Sequence, residues 1–399
     1  MSKHQTAIAR GTTLVVLAPL FIAAAAIAAP PAYTVTDLGT HAGFDTRLEP
    51  GSVGTSIAGG TVAGYAVTSL PQRNFHSFRW AAGTLTDLAP LAGDEHTIGF
   101  GVNAAGDVVG VSYKLGELVS HGVRWNANGT VTALGTLEAH DINSTGAIAG
   151  STPVNGLLGA SHATRMVNGV ATDLGTLGGI SSMAFAISES GWVVGQSLLA
   201  NNTTTRAFVV ANGAMLDLGT HGGIGSRALD INGLSVVGIA DMAGNLPRAT
   251  LWSLNASGTL AGKTNLGTLR GAINSAAHSI NASGTIVGNS GDAAFVWSAG
   301  TMTDLNSTIG AASGWHLTKA TGIDDAGRIV GVGKHFGLQR AFLLTPSKPA
   351  DFDGDGQVAA NDLAMLLGAW GSSDATFDLD GNGSVGAEDL AVLLGAWGS

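Results

Sequence analysis

Ser279, Ile280, Asn281, Ala282, Ser283, Gly284, Thr285, Ile286, Val287 and Gly288, followed by Ala294, Phe295, Val296, Trp297 and then Thr303, Asp304, Leu305, form one unit of a repeat. The glycine that closes its first segment returns at Gly64, Gly110, Gly150, Gly195, Gly238, Gly288 and Gly331, at intervals of 40 to 50 residues. A period of about 44 residues accommodates four short strands and their turns, the size of one propeller blade. Asn281 to Gly284 has the chemistry of a hairpin turn, since Asn bonds its own backbone two residues on and Gly accepts positive φ. Asn103 to Gly106 repeats that turn, and a tight turn after Ile231 and Asn232 leads into Val236, Val237 and Gly238. A second hairpin runs from Phe295 and Trp297 through Ala299 and Gly300 to Met302, Asp304 and Leu305, with alternating apolar residues.

The phase of the repeat says how the array ends. Tyr33, Val35, Asp37 and Leu38 are the second half of that Trp-to-Leu hairpin, and the missing first half appears last, at Ala341, Phe342 and Leu343. Pairing 33–38 with 341–344 closes the ring and removes the exposed edges of an open array. The expected fold is therefore mainly β, a seven-bladed β-propeller over residues 33–345.

Leu-Gly-Thr-Leu-Gly-Gly at 174–179, Ile-Asn-x-x-Gly-x-Ile-Val-Gly at 280–288 and Ala-Phe-Val-Trp at 294–297 resemble the HAF family of bacterial extracellular repeats, named for a His-Ala-Phe segment. The resemblance implies an extracellular location and no established reaction. The motif drifts along the chain, reading His76, Ser77, Phe78 in one unit and His162, Ala163, Thr164 in another, as suits a scaffold held by blade packing.

After a linker at 346–350 the composition changes, and nine of the chain's 28 acids lie beyond Ala350, where there is no Lys or Arg. Asp351, Asp353, Asp355, Gly356, Gln357 and Asp362 fall at positions 1, 3, 5, 6, 7 and 12 of a twelve-residue loop. Calcium takes six to eight oxygens, so alternate acids converge on the ion, Gly makes the sharp turn, position 7 gives a carbonyl and the last acid closes the shell. Asp378, Asp380, Asn382, Gly383, Ser384 and Asp389 repeat the pattern 27 residues on. Two Ca2+ ions are expected, the first loop binding more tightly with four carboxylates against three. Each loop runs into an amphipathic helix, with Leu363, Leu366, Leu367 and Trp370 on one stripe and Leu390, Leu393, Leu394 and Trp397 on the other, which should pack together.

Paired loop-then-helix halves closing on Asp over 351–399 resemble a dockerin, an EF-hand-like calcium-dependent tag that docks onto cohesin domains. The resemblance implies a cohesin-like or cell-surface protein partner. Two features depart from it: Ala360, Asn361, Ala387 and Glu388 stand at loop positions 10 and 11, where Ser or Thr is common in cohesin-reading members, and 371–377 is short for a middle helix.

The chain opens with basic Lys3 and Arg10, an apolar run from Leu14 to Ile27 and an Ala-x-Ala boundary ending at Ala28, which marks residues 1–28 as a secretory signal peptide. No later run is long enough to span a bilayer. The protein is expected to be secreted, extracellular or at the cell surface. It has no cysteine, so no disulfide supports it. The net charge of −10, acidic and locally concentrated, disfavours nucleic acid as a partner.

No catalytic constellation stands out. His76, His121 and His162 share one repeat position, and Asp87, Asp173, Asp217 and Asp304 recur before Leu, which points to turn bonding. His140 and His278 take the place of Phe100, Phe185 and Leu229 and are expected in the core. Tyr33, Tyr65 and Tyr113 lack the clustered Arg of a sialidase-like site. Three irregular stretches break the repeat on loops where binding residues collect: Asp94 to His96, Asn201 to Arg206, and Gly314 to His316. The expected function is a calcium-binding interaction or display scaffold. Its alternatives are an extracellular enzyme that degrades polysaccharide and carries an assembly tag, and a structural envelope protein; polysaccharide is a candidate ligand in either of the first two.

Overall fold

The computed structural model describes residues 32–40, 51–67, 74–117, 120–154, 156, 159–353 and 357–398. The expected signal segment, residues 1–28, and Asp355 lie outside them. The described residues form seven four-stranded antiparallel sheets, in six of which each strand pairs with the next in sequence. The first strands of the seven sheets touch in a closed ring, so the sheets are blades around one axis. Ser52–Ala58 begins blade 1 and Gly178–Ile187 begins blade 4; the last blade takes Trp315–Ile323, Ile329–His335 and Leu338–Pro346 from the end of the array and Tyr33–Asp37 from its beginning. Thr36 pairs with Leu343 and Asp37 with Phe342, the closure that the phase of the repeat calls for.

The glycines that mark the repeat all sit on second strands, opposite a small residue: Gly64 opposite Gly54, Gly195 opposite Ala184, Gly288 opposite Ala277. A Cβ at Gly195 would overlap the Met183 carbonyl oxygen, and the other six meet a first-strand carbonyl in the same way. The two backbones approach there because the next residue of the first strand is bulged out of the ladder. Registers skip Thr55, Phe100, His140, Phe185, Leu229, His278 and Thr321 at the equivalent place in each blade, and blade 7 skips Thr318 as well.

Third-strand apolar residues fill the space between neighbouring sheets: Phe78, Phe208, Trp252, Phe295 and Phe342 are fully buried. The Asn turns behave as expected and do more. Asn281 accepts the Thr285 N–H at 3.0 Å and its amide donates to the Asp324 carbonyl of the next blade at 3.1 Å.

The tail has two nine-residue helices, α1 (Ala360–Gly368) and α2 (Ala387–Gly395), and turns over 371–377. Its halves clamp each other, Gly371 N–H donating to the Val385 carbonyl and Gly398 N–H to the Val358 carbonyl, both at 2.9 Å. The expected helix stripes are only half buried. Leu366 and Leu393 are in the core with Val358 and Val385, whereas Leu367, Trp370, Leu394 and Trp397 are about half exposed. The cause is geometric: Trp370 and Trp397 lie past the helix ends, and the Phe352 and Phe377 rings, 4.7 Å apart, occupy the space between halves. Among the described residues no helix is long and apolar enough to cross a membrane.

Candidate functional site

Two acidic clusters form in the tail. Asp351, Asp353 and Asp362 each bring a carboxylate oxygen within 4.8 Å of the others, and Asp378, Asp380 and Asp389 do the same. These triads can hold metal ions, and a set made only of oxygens suits a hard cation. Position 12 organises each loop. Asp362 accepts N–H bonds from Phe352 at 2.6 Å and Ala359 at 2.8 Å, and Asp389 accepts from Leu379 and Gly386, both at 2.6 Å. Those backbone bonds hold both carboxyls below the usual carboxylate range, so they carry charge where a cation would sit. In the second loop Asp378 accepts the N–H groups of Asn382 and Gly383, while Ser384 N–H and Oγ–H donate to Asn382 Oδ1. Gln357 is exposed at the rim of the first loop.

A second concentration of polar groups was not foreseen. The bulge residues project toward the axis, where they and their successors line a cavity of about 130 Å³ that contains His140, Asp141, Asp230, His278 and Ser279. His140 and His278 are thus in the channel and not between the sheets, as a core position would require. The Phe100 and His140 rings meet edge to face at 5.2 Å, and His140 Nδ1–H donates to the Ala184 carbonyl at 2.7 Å. His278 Nε2–H donates to Asn289 Oδ1 at 2.8 Å.

Asp141 and Asp230 follow the bulged residue in blades 3 and 5 and join each blade to the next. Asp141 accepts N–H bonds from Ile142 at 2.8 Å and from Ile187 of blade 4 at 2.9 Å; Asp230 accepts from Ile231 at 2.7 Å and from Ile280 of blade 6 at 2.9 Å. Thr55 and Thr321 make comparable links through their hydroxyls, to the Gly99 and Gly54 carbonyls. Burial pushes Asp141 up to about 7, reinforced by the Asp230 charge, and raises Asp230 as well. Burial lowers His140, and lowers His278 to about 3 with help from the Lys319 ammonium. Both acids stand directly after the bulged residue of their blade, a position that the strand registers reveal and the repeat pattern alone does not.

The other candidates resolve into structural roles. His76 Nδ1 lies 3.1 Å from Asp87, and His162 Nδ1 lies 2.8 Å from Asp173. Asp173 also accepts the Gly175 N–H at 2.7 Å, the turn bond expected of the acids before Leu. His121 pairs instead with Asp94, one of the irregular residues, at 3.1 Å. His96 is buried, accepts the Phe75 N–H on Nδ1 at 3.0 Å and stacks on Tyr113 at 5.0 Å. The 201–206 insertion closes on itself through Asn201, and Asn202 accepts the Ile180 N–H. Trp315 stacks on His335 at 4.6 Å with the rings nearly parallel.

No protein-family model matches the chain, and no curated protein matches it. Among solved structures it is similar to TolB from Acinetobacter baumannii, with a TM-score of 0.42 and 10% identity over 75% of this chain and 64% of that one. A puromycin-hydrolyzing peptidase of Mycobacterium tuberculosis matches with a TM-score of 0.45 and 16% identity over 76% and 53%. The β-propeller domain of the Trilobed protease from Pyrococcus furiosus matches with a TM-score of 0.48 and 8% identity over 75% and 95%. The chain spans less than two thirds of the length of the first two. With every TM-score below 0.5, the seven-bladed assignment rests on this chain's own strand pairing.

Proposed function

We propose that the chain is a secreted, calcium-binding, non-catalytic interaction protein, its propeller a binding or display platform and its tail a calcium-dependent attachment module. One observation carries this. The two acidic triads recur at a 27-residue spacing, and each is followed by an exposed apolar pair, Leu367 with Trp370 and Leu394 with Trp397. A small module that organises charged loops and leaves four large apolar side chains half exposed has the makings of an interaction surface. Calcium is the assigned ion, two per chain, held by Asp351, Asp353, Asp355, Asp362 and the Gln357 carbonyl, and by Asp378, Asp380, Asn382, Asp389 and the Ser384 carbonyl. The partner is a cohesin-like or other cell-surface protein.

The test is retention of envelope and secreted proteins by residues 29–399, with calcium and with chelator. A single identified partner held only with calcium, and lost in Asp351→Ala with Asp378→Ala and in Trp370→Ala with Trp397→Ala, supports attachment. No calcium-dependent partner reduces the tail to a stabilising module, the role expected of a structural envelope protein.

The channel acids favour one other function, a carbohydrate-active enzyme, because paired carboxyls with displaced pKa values are general acid and base candidates. Two facts weigh against it. The backbone of adjacent blades occupies the Asp141 and Asp230 oxygens, and a 130 Å³ cavity is well below the roughly 300 Å³ or more of ordinary ligand sites. Hydrolysis of a polysaccharide that is abolished by Asp141→Asn with the fold intact would reverse the choice.

A further inference from the structure

Phe336 occupies the first position of the two-residue turn between the second and third strands of blade 7, with Gly337 after it. Its φ is +48°, in the left-handed region where a bulky side chain crowds its own backbone. The other non-glycine residues found there among those described are Ala82, Asn168, Asn202, Asn245 and Ala299, which are small or, as Asn202 and Asn245 do, accept a backbone N–H with the side chain. Phe336 does neither, and 78% of it is exposed, so burial does not compensate for the strain. Strain kept without a folding return is a mark of function.

The ring is nonetheless firmly placed. It lies 4.6 Å from the His335 ring at a tilt of 34°, and His335 lies 4.6 Å from the Trp315 indole at an interplanar angle of 5°. The indole in turn meets the buried Phe342 edge to face at 6.1 Å, and His335 Nδ1 is held by Asp37 at 2.9 Å. Phe336 N–H donates to the Gly314 carbonyl at 2.9 Å, and a Cβ at Gly314 would run into the Phe336 ring. Gly314, whose own φ of +74° already calls for glycine, thus also leaves room for this side chain.

We propose that the stack of Trp315, His335 and Phe336 is a binding platform for a neutral polysaccharide, with the exposed ring of Phe336 taking the apolar face of one pyranose unit. The axial C–H groups of a pyranose present positive edges to the negative face of an aromatic ring. Exposed Asp292, His316 and Lys334 at the same rim supply acceptors and donors for hydroxyl groups. A protein partner fits less well, since a stable protein interface covers about 800 Å² per side around several apolar anchors, whereas a single flat ring matches one sugar. At the rim position equivalent to Trp315, blades 4 to 6 carry exposed Ile180, Ile224 and Ile273, which offer no flat face. This deepens the display function by naming its ligand, and it is independent of calcium.

Residues 29–399 are run through native gels containing soluble xylan, mannan or mixed-linkage β-glucan, and are mixed with microcrystalline cellulose and with chitin, in calcium and in chelator. Expected are retardation or retention by at least one of these under both conditions, a loss of affinity of about tenfold or more in Phe336→Asn, and wild-type behaviour in Phe336→Tyr and Ile224→Asn. Phe336→Asn should also melt higher, because Asn tolerates the left-handed region. The proposal fails if none of the polysaccharides is bound, if Phe336→Asn binds as the wild type does, or if it melts lower, which would make the ring structural. It fails too if Ile224→Asn weakens binding as much as Phe336→Asn, since that would describe a broad protein-type face.

Discussion

The side-chain amide of Asn143 donates to the Ser188 carbonyl of the next blade at 3.0 Å while its oxygen accepts the Ala147 N–H of its own turn at 3.0 Å. Asn103 reaches the Asn143 carbonyl in the same way at 3.2 Å, so one residue type fixes the turn and ties the blades in sequence. Asn143→Asp keeps the turn acceptor, loses the donor and places a charge at a site 4% exposed. Destabilisation of about 2–3 kcal/mol is expected, measured by urea unfolding; a loss under about 0.5 kcal/mol would show that the bond across blades matters little.

The glycine opposite each bulge is a second target. Gly195→Ala would force the Met183 carbonyl away from the second strand and disturb the neighbouring channel residue. A loss of roughly 1–3 kcal/mol is expected for the single change. Gly213→Ala is the control for backbone strain alone, because φ there is positive and nothing lies within 4 Å of its Cβ.

In the channel, opposite pH dependences cancel. The Asp141 carboxyl titrates near 3.8 when unfolded and about 7 when folded, so its contribution is present at low pH and is lost as pH rises between those values. For His278 the unfolded chain binds a proton below 6.5 that the folded one binds only below about 3, so its contribution falls away as pH drops through that window. Asp230 shifts in the direction of the first and His140 of the second, while Glu138, Glu189 and Lys319 supply the surrounding charge. The four channel groups together should therefore add little net pH dependence to the melting temperature between about pH 4 and 6.5. Relative to the wild type, His278→Phe, the residue type at 100 and 185, should give a curve that falls with pH, by about 1.4 kcal/mol per pH unit. Asp141→Ser, the residue type at 279, should leave one that rises. Parallel curves in all three proteins would remove the channel groups from the account.

Calcium titration of the tail should show two sites, the tighter abolished by Asp351→Ala and the weaker by Asp378→Ala. At calcium 100-fold above the dissociation constant, the stabilisation is about 2.7 kcal/mol for one site. Equal affinities, or the reverse order, would overturn the carboxylate-count argument for the first loop.

Blade number and ring closure could be read from the chain because each rests on a periodic constraint: the close approach at Gly195 and its six equivalents, and the phase of Tyr33 against Phe342. The acidic loops were legible for a similar reason, since Asp351, Asp353 and Asp362 converge through local spacing alone. The channel was not legible, because a bulge shifts the alternation of inward and outward residues by one. Without that shift His140 and His278 fall on a core face, and Asp141 and Asp230 appear to be ordinary exposed acids. The burial of Leu367 and Trp370 depended on what packs across a module only 49 residues long, and no periodicity encodes that. Phe336 stood beside an ordinary turn glycine, and only its exposure and backbone angle set it apart.

The pairing of Tyr33–Asp37 with Leu338–Pro346 sets an order of events. Of the described strands, the one that leaves the ribosome first is the one the ring uses last, and its partner is about 300 residues away. Blades 1 to 6 can form as they emerge, each from contiguous chain. Until Pro346 arrives, however, the array stays open at both ends, with the first strand unpaired beside it. Closure is then the slow, long-range step of assembly, and a chain cut short before blade 7 is complete would leave uncovered the apolar faces of blade 1, around Val62 and Phe78, and of blade 6, around Val287 and Val296, that the last blade buries.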